Sequence, residues 1–303
     1  MSKTSPILLF TYKRLDVLKK TIETLQNNEL AKDSDLYIFS DGPKNQKDQD
    51  IIDTIRTYLK TISGFKNITI KASPVNMGLA NSIINGVTSV LQSEEKVIVL
   101  EDDLLTTPNF LSYMNQSLNK YHNNENVFSI SGYSFDLRKE DSNPNQTYFL
   151  NRGWSWGWAT WKNRWEKVDW DVKSYANFSN NKQERKEFAK GGSDLNAMLD
   201  KQMSGQLDSW AIRWFYHQYK INGLTLYPLA SKIYNDGFDE DATHTNGSEK
   251  RYIPYLDKVH STTFNFPEQA VIDYKYQKQF QNKMGILARI RSKIETLILK
   301  NRL

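Results

Sequence analysis

The residues best suited to chemistry are three consecutive acids, Glu101, Asp102 and Asp103, which follow the apolar run Val97 to Leu100. Crowded carboxylates are costly unless a cation pairs with them. Hard divalent cations such as Mg²⁺ or Mn²⁺ take oxygen ligands, commonly one or two protein carboxylates completed by substrate phosphates. The triplet therefore suits a cation that holds a nucleotide diphosphate. The plain alternative is that acids after a strand start the helix near Pro108 or face water. Cysteine is absent, which excludes disulfides, thiolate metal sites and cysteine nucleophiles together. Any metal must sit on oxygen or imidazole.

Further polar clusters fall at comparable places. Thr11 to Arg14 follow one apolar run, Ser40, Asp41 and Gly42 a second, and Asn76 and Gly78 a third. Asn76-x-Gly78 ahead of a helix offers a tight turn and free backbone N–H groups where phosphate or sugar hydroxyls can dock; a ligand-free helix start fits equally. Six tryptophans crowd residues 154 to 170, and the small residues between Trp154, Trp156 and Trp158 let rings be presented to a sugar face. Most must be core, because indole burial is a major source of packing energy. Trp156 and Trp158 are the two expected near a sugar. His244 lies in a turn-rich stretch, Asn235 to Asn246, with the composition of a mobile loop.

These clusters need a scaffold that brings them together. Ile7 to Phe10, Leu36 to Phe39, Ile68 to Ile70 and Val97 to Leu100 read as short buried strands. Between them, Leu15 to Leu25, Ile51 to Ile62 and Leu79 to Leu91 place apolar residues at helical spacing. Strand and helix in this cadence build βαβ units and a parallel sheet covered on both faces. Ligands bind outside the carboxyl ends of such strands, where all four polar clusters fall. After Pro108 the alternation fails, while Leu207 to Ile221 is again helical in pattern. The expected organisation is one α/β unit over 1–272, with a nucleotide-binding half at 1–105 and an acceptor-side half at 106–272, followed by a tail at 273–303.

The order of Ser5 to Arg14, Phe39 to Gly42, Asn76 to Ala80 and Val99 to Leu104 resembles that of GT-A fold glycosyltransferases. It is similar to the bacterial family-2-type sugar transferases of polysaccharide clusters and to the Golgi N-acetylglucosaminyltransferase that begins complex N-glycans. The resemblance covers roughly residues 5 to 250. It implies a Rossmann-like, mostly parallel sheet flanked by helices, a nucleotide-sugar donor, UDP by preference, and Mn²⁺ or Mg²⁺. It also implies roles: Arg14, with Thr11 beside it, on donor phosphate or nucleotide, Asp41 accepting from the nucleobase, Asp103 on the metal, and Glu101 and Asp102 on sugar or ribose. Asp208, in an Asp-x-Trp segment, matches the general base of an inverting transfer, although aspartate at a helix start is also a favoured cap. His244 would contact metal or diphosphate from a loop that orders over the donor. Two departures stand out: the triplet is Glu-Asp-Asp rather than Asp-x-Asp, which leaves metal placement open, and no Golgi anchor is visible.

Rival readings are a sugar-1-phosphate nucleotidyltransferase and a noncatalytic glycan-binding protein. The first needs a glycine-rich basic loop after strand one, and Thr11 to Arg14 holds no glycine. The net charge of +5 first suggests nucleic acid. Residues 273–303 alone carry +6, so the rest totals −1 and nucleic acid is not the expected partner. Within the tail, Ile286, Leu287, Ile290, Ile294, Leu297 and Ile298 share a helical face flanked by Arg and Lys. Such a helix suits an anionic membrane surface, the catalytic domain, or a second copy in a homodimer, and a lipid-linked glycan acceptor would rationalise the first. With no signal peptide or spanning segment visible, the expected location is the cytoplasm, peripheral on the inner face of the membrane.

Overall fold

A computed structural model describes residues 3–139, 146–238 and 249–300, and its organising element is an eight-stranded sheet. The first four strands, β1 (Ile7–Thr11), β2 (Asp35–Ser40), β3 (Asn67–Ala72) and β4 (Lys96–Glu101), pair in parallel in the order β3-β2-β1-β4. Helices α1 (Leu15–Gln26), α2 (Gln49–Leu59) and α3 (Leu79–Leu91) make the crossovers. Because strand side chains alternate in direction, β1 feeds two cores. Ile7 and Leu9 join Leu18, Ile22 and Leu25 of α1 on one face, while Leu8 and Phe10 join Ile83 and Val87 of α3 on the other. Gly86 of α3 lies flat on Phe10, where an added Cβ would come within 2.7 Å of the ring.

The chain then runs through β5 (Leu104–Thr106), α4 (Phe110–Lys120), β6 (Val127–Ser131), β7 (Thr147–Leu150), β8 (Trp158–Trp161), α5 (Lys162–Trp165), α6 (Tyr175–Asn180), α7 (Lys182–Phe188), α8 (Leu195–Met203), α9 (Trp210–Lys220), β9 (Leu224–Pro228) and β10 (Ile233–Asn235). The sheet continues β4-β8-β6-β9-β7, with β8 and β7 reversed against the other six strands. β10 pairs antiparallel with β5, just beyond the acidic triplet.

The sequence reading needs correction at two points. Ile68 to Ile70 is a strand, but an exposed edge strand rather than a buried one, since among the described residues no strand pairs beyond β3. The segment after Pro108 also belongs to the sheet. Its strands are short and pair with partners distant in sequence, so no local cadence announces them.

The tail is two helices, α10 (Tyr274–Met284) and α11 (Ile286–Lys300), with Gly285 between them. Asp273 caps α10 by accepting from Lys275 N and Tyr276 N. Tyr276, Phe280 and Met284 are buried in the same core as α1 and β7, so α10 is part of the main fold. Among the described residues no helix is long and apolar enough to cross a membrane.

Candidate active site

The carboxyl ends of β1 and β4 are adjacent, and the loops that follow them are tied together. Thr11 Oγ1 donates to Asp102 Oδ2 at 2.8 Å, and the Tyr12 backbone N–H donates to the same oxygen at 3.2 Å. Arg14 Nη1 reaches Asp103 Oδ2 at 2.9 Å. Thr21 Oγ1, in the second turn of α1, donates to the Asp102 carbonyl at 2.8 Å. The triplet is therefore tied to the loop after β1 rather than capping a helix. Glu101, Asp102 and Asp103 are partly exposed but densely surrounded by protein. Burial, then Asp103 and Asp102, push the Glu101 carboxyl well up. Burial and Asp103 push Asp102 up to about 6, against the hydrogen bonds from Thr11 and Tyr12 and the charge of Arg14. Such a cluster favours added positive charge.

The far side of Asp103 is closed by a segment that sequence reasoning left as the start of a loop. Asp236 N donates to the Asp103 carbonyl at 2.9 Å, and Gly237 N donates to Asn235 Oδ1 at 2.7 Å. A Cβ on Gly237 would press on the Asp103 carboxylate, so the segment after β10 packs directly against Asp103. Lys20 Nζ holds Asp236 at 2.7 Å. The signal in the sequence was the Asn235-Asp236-Gly237 triplet after an apolar pair. His244 lies outside the described residues.

Asp41 has a structural task. Its Oδ1 accepts from Gly42 N and Met77 N, both at 2.8 Å, and its Oδ2 from Gly78 N at 3.1 Å and Asn76 Nδ2 at 3.2 Å. A carboxylate offers about four acceptor positions, and all four are taken by protein. Asp41 thus clamps the Asn76–Gly78 turn. Asn76 is part of that clamp, its amide also donating to the Gly42 carbonyl at 3.1 Å. Arg56, which the sequence reading missed, braces the same corner through Ser40 Oγ and the carbonyls of Asp41 and Ser73.

Gly78 is the residue before α3 and has φ +76°, a left-handed conformation that glycine adopts freely. Its missing side chain faces Asp208, whose Oδ2 would lie 4.0 Å from a Cβ built there. Asp208 is thus brought against the open N-terminus of α3. It does not cap α9: Ser209 does, accepting from Ile212 N. The Asp208 carboxylate is 65% exposed and lies 3.7 Å from Arg213, leaving it accessible to a substrate. What fixes it is the next residue but one. Trp210 is buried in a cluster with Trp158, Trp165 and Trp214, with ring centroids 4.9 Å apart for Trp158–Trp210 and 4.5 Å for Trp158–Trp214.

Trp158 is therefore core, which corrects its expected place beside a sugar. Its strand β8 lies between β4 and β6, and its ring turns into the α3 and α9 side of the sheet. Trp156 behaves differently. It is half-buried and packs on Tyr133, Tyr252 and Phe238, with centroids 4.7, 5.4 and 6.0 Å away. Phe238 follows Gly237 directly, so Trp156 belongs to a wall that continues to Asp103. Trp154, Trp161 and Trp165 are buried too.

The donor set at the triplet is all oxygen, anionic and crowded, which fits a hard divalent cation. Among the described residues no three carboxylate or imidazole groups converge on one point, so that cation would draw its remaining ligands from phosphate oxygens and water.

The sequence profile of glycosyl transferase family 2 matches residues 7–187, more than half of the chain. No curated protein sequence matches it. Among solved structures it is similar to the mannosyltransferase PcManGT from Pyrobaculum calidifontis in complex with GDP-Man and Mn²⁺. That likeness has 11% identity and a TM-score of 0.34, over 44% of this chain and 36% of that one. Similarity to S. aureus TarS has 10% identity and a TM-score of 0.38, over 55% of this chain and 30% of that one. The chain thus spans about a third of the length of these two proteins. With a βαβ sheet whose strand ends carry the acidic triplet, and a family profile running from β1 into α7, the chain belongs to glycosyl transferase family 2 and has the GT-A fold.

Proposed function

We propose that the protein moves a sugar from a nucleotide-diphosphate donor, UDP-linked by preference, to a hydroxyl of a glycan or lipid-linked glycan. The transfer inverts the anomeric centre and serves bacterial surface-polysaccharide or glycoconjugate assembly. One observation carries the reading: Arg14 and Asp103 meet at the mouth of the sheet beside Asp102, while Asp208 stands exposed over the N-terminus of α3.

In this reading the Arg14 guanidinium and the N–H groups at the start of α3 meet the negative charge of the diphosphate. Asp103, with Asp102 beside it, would hold Mn²⁺ or Mg²⁺, which neutralises charge on the departing diphosphate when bound. Asp208 takes the proton of the acceptor hydroxyl as that oxygen bonds to the anomeric carbon and the bond from that carbon to the diphosphate oxygen breaks. Trp156 and Phe238 supply an apolar wall for a sugar face. Thr11 and Tyr12 orient Asp102 and hold the loop in place.

The test is a panel of nucleotide sugars with Mn²⁺ and candidate acceptors. Nucleotide release that requires an acceptor, and is lost in Asp103→Ala, supports the reading. A melting temperature that does not move with UDP and Mn²⁺, together with unchanged transfer in Asp103→Ala, refutes it.

A further inference from the structure

Helix α11 is mounted with its polar side inward. At 100° per residue, Ile286, Leu287, Ile290 and Ile294 share one arc of about 100°. They are 64%, 84%, 49% and 51% exposed. The opposite arc holds Ser292, which is buried, and Arg289 and Glu295, which are half-buried. Arg289 Nη1 lies 3.4 Å from Ser193 Oγ, and the Ser193 hydroxyl in turn donates to the Met284 carbonyl at 2.7 Å, so the polar arc is the docked one. A helix that packs on its own domain normally does the reverse.

Two features indicate what covers the apolar arc. At the break between α10 and α11 lies a groove of about 620 Å³, lined in part by Lys186, Lys190, Ser193, Ile286 and Leu287. Apolar and cationic side chains therefore share one rim. Residues 273–303 carry a net +6 in a protein whose remainder totals −1. The ion pairs on this surface, Lys190 with Glu187 and Arg291 with Glu295, are exposed and do not change that balance. Two such surfaces repel one another, which disfavours a second copy of the chain, whereas an anionic layer is attracted.

We propose that α11 and the adjoining groove dock the protein on a bilayer carrying anionic phospholipid. The apolar arc enters the acyl boundary, and the lysines and arginines at its margin meet the headgroups. The position relates this surface to the active site. α11 packs on the 3-10 turn Glu249–Arg251, and the next residue, Tyr252, packs on Trp156 and Phe238. The inference goes beyond the transferase reading and does not depend on it, since lipid binding requires no transfer.

The full-length chain is sedimented with vesicles of phosphatidylcholine alone, or of phosphatidylcholine and phosphatidylglycerol in equal parts. The expected result is binding to the second kind only, released by salt. Ile290→Glu with Ile294→Glu, and separately Lys186→Gln with Lys190→Gln, should each weaken it about tenfold or more without moving the melting temperature. Absence of binding, equal binding to both vesicle types, or binding unchanged in Ile290→Glu/Ile294→Glu overturns the proposal. So does a dimer in sedimentation velocity that Ile290→Glu dissociates while vesicles capture nothing.

Discussion

The Asp41 carboxylate and the backbone N–H of Gly78, 37 positions apart in the chain, meet at 3.1 Å and fix the entrance to α3. Three other donors share that carboxylate, and Asp208 faces the same glycine from outside. A turn that would otherwise be a flexible connection between an edge strand and a helix thus becomes the floor under the proposed base. Asp41→Asn replaces one acceptor oxygen by an N–H₂ that points at N–H donors. We expect a loss of about 2–4 kcal/mol in chemical denaturation, from buried groups left without partners. Gly78→Ala should lose about 1–2 kcal/mol from its left-handed φ and weaken donor affinity in titration.

Asp208 and Ser209 separate catalysis from capping. Asp208→Asn should lower kcat by about 10²–10⁴-fold, as expected for loss of a general base. Its unfolding free energy should stay within about 0.5 kcal/mol of the parent. Ser209→Ala should do the opposite in kind, costing about 1 kcal/mol of stability as the α9 cap is lost. Steady-state kinetics paired with urea melts decides between them, and a stability loss at Asp208 with unchanged kcat would return it to a structural role.

Trp156 and Trp158 should part company in the same way. Trp158→Ala opens a cavity among Trp165, Trp210 and Trp214 and should cost about 3–5 kcal/mol. Trp156→Ala, on the half-buried wall beside Phe238, should cost less and raise KM for donor or acceptor. Denaturation midpoints and KM values from the two variants are the measurements.

Acid stability has an identifiable source outside the site. Burial opposes ionisation of Asp257, but the Lys232 ammonium and the amide of Asn109 outweigh it and bring the carboxyl down to about 2. A carboxyl depressed on folding stabilises the native state above its unfolded value of about 3.9, and that contribution fades as pH falls toward 2. Asp194, buried against Arg152 at 2.8 Å, is likewise lowered despite its burial and acts in the same direction. Urea midpoints should therefore drop below about pH 4, whereas between neutral pH and about 5 the raised Asp102 carboxyl works in the other direction and adds stability as it takes up a proton. In Asp257→Asn the protein should be weaker at neutral pH and lose less on acidification.

The sequence on its own determined what short-range periodicity can encode. Leu79–Leu91 is a helix with the bounds its apolar spacing indicates, and β1 and β4 extend the runs Ile7 to Phe10 and Val97 to Leu100 by one or two residues. The acidic triplet follows at a strand exit for the same reason, because polarity changes where a buried strand leaves the core. Tertiary structure decided everything that depends on which distant segments meet. Trp156 and Trp158 are chemically identical and two residues apart, yet with Gly157 between them, at φ +58°, one ring packs half-buried on Tyr252 and Phe238 and the other lies in the core. Asp41 receives its four donors from its own turn and from residues 76 to 78, and of the two roles the sequence left open for Asp208, base or cap, the cap belongs to Ser209. α10 read as part of a detached tail because its three core residues contact partners far away in the chain. Periodicity reports which side of an element is apolar; only the closed fold determines what that side touches.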